Sequence, residues 1–512
     1  MNRARGTRNW EKELRSFPLH PNGIPGSLRR KVEARIAMEE QSHGRRPRLW
    51  FAALAAIAVF ALLFVQREPL LRWLKQEEPV LTETIDTTTE RTLKLLTFHR
   101  DTFMRQYGNA FLIKYPNMQI AAVETMSLGL SQQSDLKKAY YDLMEKEQLD
   151  VLYVPLSIYK EMAADGKLYP LETFIQKERY DLAAFRPGVI DLLREAGGGK
   201  LYGLYPTMYS QAIYYNKDLF DRYGVPLPTD HMSWDDVLRL AARFPADARS
   251  DQRVYGFVPT FNDAYNLAQQ IALTKRIQLV DAEGKTLLAN APAFRDIWAT
   301  IGDGLSRGWL NQTQQSLAGL SSNNIEWYKR NEFFLGNAAM LLANEMTVRD
   351  LQEAKKRFNL ANFTWDLVTE PVDPQHPEDG SSYRVDGVYV VSAKSSNPRD
   401  AWELIKLIHS EPIARKNTAA AFGSSTPSSL QRVQTKPEDV RMEAFTALKP
   451  KMSALLGPST LPAAFAQELN GIVNGELKRF AQGTQSMNAT IDAIQSKGQE
   501  ALDRSNWQNK NQ

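Results

Sequence analysis

Leu93-Lys94-Leu95-Leu96-Thr97-Phe98, Met118-Gln119-Ile120-Ala121-Ala122-Val123 and Asp150-Val151-Leu152-Tyr153-Val154 are three short apolar runs separated by two amphipathic stretches. Residues 103–115 carry helical spacing that Pro116 ends, and a second helix is expected through Leu136 to Glu147. Strands joined by helices of ten or more residues are βαβ crossovers, which build a mostly parallel sheet in an α/β fold. In such a sheet ligands bind at the carboxyl ends of the strands. That rule directs attention to two loops, Phe98-His99-Arg100-Asp101 and Pro155-Leu156-Ser157-Ile158-Tyr159.

Upstream, the chain changes character. Leu49 to Val65 is an uncharged run closed by Arg48 and Arg67. At about 1.5 Å per residue it covers roughly 25 Å as a helix, the short end of what a bilayer core requires. It has no polar face, so a buried core helix fits it poorly. A cleaved signal peptide is the stronger rival. Its preceding segment is far longer than a usual n-region, however, and Phe64-Val65-Gln66-Arg67-Glu68-Pro69 offers no small-x-small site. The expectation is a transmembrane signal anchor over 49–66.

Residues 1–48 hold 12 Lys/Arg against 5 Asp/Glu, which leaves the remainder of the +4 chain slightly acidic. Basic flanks favour the cytoplasmic side, so 1–48 is expected inside and the bulk of the chain outside a cell membrane crossed once. Within it, Ser27 can cap a short helix with Leu28, Val32, Arg35 and Ile36 on one face, suited to anionic headgroups or to a cytoplasmic partner. Residues 67–91, with Glu77-Glu78-Pro79 and Thr87-Thr88-Thr89, read as a stalk. An acidic bulk argues against nucleic acid as a partner.

The chain has no cysteine, which excludes thiolate chemistry, Cys-ligated metals, disulfides and a lipidated cysteine. Its six histidines, His20, His43, His99, His231, His376 and His409, show no H-E-x-x-H spacing. Gly197-Gly198-Gly199-Lys200 is followed by Leu201 and so lacks the phosphate-loop frame. No motif pairs two carboxylates for a glycosidase. These readings point to a protein that is not an enzyme and uses no cofactor.

Longer motifs carry a resemblance. Gly199-Lys200-Leu201-Tyr202-Gly203-Leu204-Tyr205-Pro206 followed by Ile213-Tyr214-Tyr215-Asn216-Lys217-Asp218-Leu219-Phe220 resembles the "GK-x-YG-x-P … YNKDLF" signature of family 1 extracellular solute-binding proteins, the maltose-binding-protein-like group. Gly166-Lys167-Leu168-Tyr169-Pro170-Leu171, Gly224-Val225-Pro226, Ser233-Trp234-Asp235-Asp236, Phe334-Leu335-Gly336-Asn337-Ala338-Ala339-Met340, and Gly387 to Ser395 with Ala401-Trp402-Glu403-Leu404-Ile405-Lys406 resemble further family motifs, in the family's order over about 92–505.

The resemblance implies a periplasmic-binding-protein-like α/β fold of two lobes over 92–505. Lobe one would take about 92–205 and 388–425, lobe two about 206–387 and 430–505, with hinge closure around a solute. Ile491, Ile494, Ala501 and Leu502 would pack in closing helices.

Sugar rings stack on aromatics while their hydroxyls need planar polar partners. The expected ligand-binding residues are therefore Phe98, Arg100, Tyr159, Tyr205, Tyr209, Trp327, Asn344, Glu345, Tyr383, Arg384 and Asp386. Tyr153 and Trp234 divide evenly between site and core, and Arg384 with Asp386 could equally pair with each other. The implied partners are a small polar solute, an oligosaccharide by preference, and the permease subunits of an ABC importer. The membrane-anchored form leaves a ligand sensor as a second reading and an extracellular hydrolase as a third.

Overall fold

The computed structural model describes residues 86–130, 135–245, 253–259, 263–311, 324–418, 428–433, 440–451 and 463–510. The expected anchor over 49–66 and the segment 1–48 lie outside the described residues. Among the described residues no helix is long and apolar enough to cross a membrane.

The eleven described strands are β1 (Arg91–Thr97), β2 (Met118–Glu124), β3 (Val151–Val154), β4 (Gly203–Leu204), β5 (Gln211–Asn216), β6 (Tyr255–Val258), β7 (Ala338–Asn344), β8 (Trp365–Thr369), β9 (Asp379–Gly380), β10 (Val388–Val391) and β11 (Lys449–Pro450). They form two main sheets, ordered β2-β1-β3-β10-β4 and β6-β7-β5-β8, with β11 beside β9 as a short accessory pair. Each main sheet is the centre of one lobe.

The first three strands and their helices form the expected parallel unit, β1 pairing in parallel with both β2 and β3. The sheets as wholes are mixed. β10 runs antiparallel to β3 and β4, and β5 runs antiparallel to β7 and β8. Both odd strands follow a passage between lobes. A chain arriving from the other lobe enters at the carboxyl edge, where the neighbouring strands finish, so it must run against them.

The core follows from composition. Lobe two packs Ile213, Phe220, Trp234, Phe257, Ile271 and Trp298 with the helices Ala463–Ala481 and Met487–Lys510, which contribute Leu469, Val473, Ile491 and Ile494. In lobe one Leu93, Leu95, Leu96, Val151, Leu152, Val388 and Val390 are buried completely or nearly so. The end of the expected stalk is folded onto this lobe. The Arg91 guanidinium pairs with Asp400 at 2.6 Å, and Asn117 donates to the Asp86 and Thr89 carbonyls. At the other end, Leu430 bridges to Phe185 and Ser428 to Thr207, a few residues past the expected limit of lobe one near 425.

Candidate functional site

The chain passes from lobe one to lobe two over residues 205–210 and returns over 382–387. These passages lie side by side. Tyr209 and Arg384 exchange both backbone hydrogen bonds at 2.9 Å. Ser428 and Leu430 bridge to lobe one, whereas Val440, Met442 and Phe445 pack with lobe two; residues 434–439 lie outside the described residues. Paired passages beside the carboxyl ends of two sheets make a hinged cleft the natural ligand site.

The carboxyl edge of lobe one holds an aromatic and acidic cluster. Tyr153, one residue before the end of β3, is half-buried, its ring 4.7 Å from that of Tyr389. Gly387 makes this approach possible, because a Cβ there would fall 2.6 Å from the Tyr153 ring. Tyr107 lies 6.1 Å from Tyr389, and Tyr209 enters from the first passage. Tyr209 hydrogen-bonds Asp386, and Tyr107 and Tyr153 lie within reach of its charge; Asp386 is exposed and also receives the Thr207 hydroxyl at 3.4 Å. Burial first, and the Asp386 charge second, push the Tyr153 and Tyr209 phenols far above their ordinary value, so they stay protonated donors. A carboxylate with phenols near it offers acceptor, donors and ring faces in one place, the inventory that a polyhydroxylated solute uses.

Tyr107 was not legible as a site residue. The stretch expected to be one regular helix is broken into Arg100–Phe103, a π-helical turn over Met104–Gly108, and Asn109–Lys114. Such turns insert a residue and re-aim side chains, often at functional sites. Here the turn carries Tyr107, whose hydroxyl bonds Asn417. No sequence pattern marks either residue.

Phe98 and Arg100 share this edge. Phe98 is 59% exposed just past β1, and the Arg100 amide donates to Glu124 at the end of β2 at 2.7 Å. The other expected residues sit deeper. Tyr159 is wholly buried in the helix Leu156–Ala164, donating to the Leu193 carbonyl at 3.0 Å and accepting from the Tyr202 amide at 3.1 Å. Tyr205 is wholly buried with its hydroxyl 3.7 Å from the Met208 sulfur. Tyr383 is buried, its hydroxyl held by the Leu448 and Phe445 carbonyls.

In lobe two, Trp234 lies in the core, its indole donating to Thr274 at 3.0 Å. Trp327 is half-buried against Tyr328 and Phe334. The Asn344 side chain accepts from the Met346 amide at 3.0 Å. Arg384 is exposed. Glu345, at the end of β7, faces Arg186 from lobe one. The two guanidinium Nη atoms donate to its two oxygens at 2.7 and 3.0 Å, and the Ser210 hydroxyl lies 3.3 Å from Oε1. Burial alone would depress the guanidinium, yet Glu345 beside it keeps Arg186 above the usual arginine value. Thus Tyr153, Tyr209 and Asp386 come together with Tyr107, Thr207 and Asn417, while Tyr159, Tyr205, Tyr383 and Trp234 are spent within packed interiors. Among the described residues no group of three His, Asp or Glu side chains is placed to hold a metal ion.

A sequence profile of the bacterial extracellular solute-binding proteins matches residues 145–414. A provisionally named binding protein of Brucella abortus is 21% identical over 323 residues, 62% of this chain and 71% of its own length. The sugar-binding protein MalE of the phytopathogen Xanthomonas citri superposes with a TM-score of 0.55 at 18% identity, covering 82% of this chain and all of its own. A sugar transporter of Rhizobium etli in an open conformation gives 0.54 at 18% identity, covering 80% and 99%. At these identities the structural likeness bears on the fold.

Proposed function

This chain belongs to the bacterial extracellular solute-binding protein family, a family of binding proteins and not of enzymes, and we propose that it captures a polyhydroxylated solute, an oligosaccharide or a smaller sugar, between its lobes and hands it to an ABC permease. The observation that carries this reading is the Asp386 carboxylate hydrogen-bonded by Tyr209, with Tyr107 and Tyr153 clustered on Tyr389 within reach of its charge, at the carboxyl edge of lobe one and beside two interlobe passages. Neighbours described as sugar-binding or sugar-transporting proteins support the solute class. In the same reading residues 49–66 anchor the chain in the cell membrane, with 1–48 cytoplasmic and the two lobes outside.

A thermal-shift screen of the full chain in detergent micelles tests it against sugars, polyols, amino acids, short peptides and polyamines. A ligand at 100 times its dissociation constant adds about 2.7 kcal/mol to folded-state stability, enough to move the midpoint by a few degrees. A shift with sugars, with the sugar recovered unchanged, is the expected result. A shift confined to peptides or amines overturns the solute class, and a consumed ligand overturns binding without chemistry. For the anchor, the chain should stay with membranes through an alkaline wash that strips peripheral proteins. Its release there would remove the anchor from the proposal.

A further inference from the structure

Arg186 and Glu345 stand 159 positions apart in the chain and on opposite lobes. Arg186 precedes the lobe-one helix Val189–Ala196, and its amide is fixed by the Ser429 carbonyl at 2.8 Å. Glu345 opens the lobe-two helix Met346–Phe358. Their side chains are 1% and 10% exposed and meet as a two-pronged ion pair. Ser210, in the first passage, closes the arrangement by donating to the lobe-two Phe445 carbonyl at 2.7 Å beside Glu345 Oε1.

We propose that this pair is a clasp between the lobes: Arg186 is a positioning residue that withholds Glu345 from the solute and sets how far the cleft stands open before a solute arrives. The inference rests on the reading of the chain as a hinged solute-binding protein. Glu345 Oε1 already meets Arg186 and Ser210, and Oε2 accepts from the second Arg186 nitrogen, so a solute hydroxyl reaching this carboxylate would compete with Arg186 for it. A pair this dry is little screened by salt, and its forked geometry fixes an angle as well as a distance. The clasp also carries a flaw that favours release. Among the described residues the buried Arg186 Nε has no hydrogen-bond partner, and neither has the hydroxyl of the adjacent Ser429. A rotation of one lobe that gave these groups partners would offset part of the cost of parting the ions.

The absence of cysteine makes the test direct, because introduced thiols are the sole labelling sites. Lys138→Cys on lobe one is spin-labelled together with Arg239→Cys, or with Arg307→Cys, on lobe two; all three positions are exposed. Interlobe distances are measured by pulsed electron resonance on the full chain without solute. Two variants are compared with the parent. Glu345→Gln breaks the charge pair, and Arg186→Met with Glu345→Met replaces it by apolar side chains of similar length.

Removing one partner of a buried pair is strongly destabilising, whereas replacing both is often neutral. The midpoint should therefore fall by about 5 °C or more in Glu345→Gln and largely recover in the double variant. In both, the distance distribution should widen and its mean lengthen. If the double variant regains its midpoint and its distances match the parent, the pair only supports the fold and the proposal fails. Should Glu345→Gln not fold, the double variant alone decides. A widened distribution in a chain that no sugar stabilises would keep the clasp and discard the solute reading; unchanged distances in a chain that sugars do stabilise would do the reverse.

Discussion

Lobe one and lobe two receive the crossing chain on different foundations. On the lobe-one side the support is aromatic. Tyr205 is wholly buried, and Phe103, Tyr107, Tyr153 and His409 surround Tyr389, with Phe185 packed on the far side against His409. On the lobe-two side it is polar. Glu370 accepts from the Ser381 and Ser382 amides and the Ser381 hydroxyl, Ser382 accepts from the Gln211 amide, and Ser381 shares a hydrogen bond with Thr274. Packed rings tolerate small changes of angle because dispersion is not directional, whereas a hydrogen-bonded turn holds one geometry or leaves groups unpaired. On this contrast lobe two is expected to act as the frame that fixes the direction of the passages, and lobe one as the body that turns about them.

The largest expected effect tests the aromatic side. Tyr389→Ala removes the ring on which Phe103, Tyr107 and Tyr153 rest and should cost about 3–5 kcal/mol in urea unfolding. Tyr389→Phe keeps the ring and loses only the hydroxyl contact with Thr97, a loss of about 1 kcal/mol. If the two variants proved equally unstable, the hydrogen bond would be the support and the contrast between the lobes would collapse.

Next in size is a pair of opposed pH dependences. Burial lowers His409 to about 4, its Nδ1 being 2.7 Å from the Ile405 carbonyl. Burial raises Glu370 to about 7 against the pull of its serine donors. Between pH 6.5 and 4 the unfolded chain takes up the histidine proton first, so stability is lost as pH falls through that window. Between pH 4.5 and 7 the folded chain holds the Glu370 proton longer, so stability is lost as pH rises. Each contribution amounts to about 3 kcal/mol, and they cancel where the windows overlap. Relative to the parent, His409→Gln should therefore lose stability as pH rises from 4.5 to 6.5, and Glu370→Gln should gain it. Denaturant midpoints at several pH values read both slopes. A flat profile relative to the parent in either variant would show that the group it replaces titrates normally and is not locked in its lobe.

What the chain discloses in one dimension divides along a related line. The parallel unit β1–β3 was legible because each strand is a local apolar run and Pro116 punctuates the helix between the first two. The family was legible in residues 199–220, where the first passage is itself one continuous motif. The reversed β10 and β5 were not, since strand direction depends on the edge at which the chain arrives. The π-helical turn that aims Tyr107 has no residue signature, and the spacing of Phe103, Tyr107 and Phe111 suits an ordinary helix. Tyr159 stands in a loop expected to face ligand, yet its helix turns the ring inward onto Leu193 and Tyr202. Arg186 has no neighbour in sequence to announce its partner. Aromatic type could be read as a suggestion of sugar; which rings stay at the edge and which are consumed by the core was decided by packing across distant segments.

The smallest effect bears most directly on the frame. Ser382 is half-buried, and its hydroxyl is the acceptor for the Gln211 amide at 2.8 Å, tying the start of β5 to the return passage. Ser382→Ala leaves that amide unpaired and should cost about 1–2 kcal/mol, less than the Tyr389 truncation because water can reach a half-buried group. Ser382→Thr retains the hydroxyl and should restore most of it. The informative readout is amide hydrogen exchange. If lobe two is the directional frame, protection should fall in Ser382→Ala at Gln211 and also at Tyr209 and Arg384, whose paired amides continue the same ladder. Loss confined to Gln211 would mean that the two passages hold each other without the turn, and the polar foundation of lobe two would then reduce to the Glu370 anchor alone.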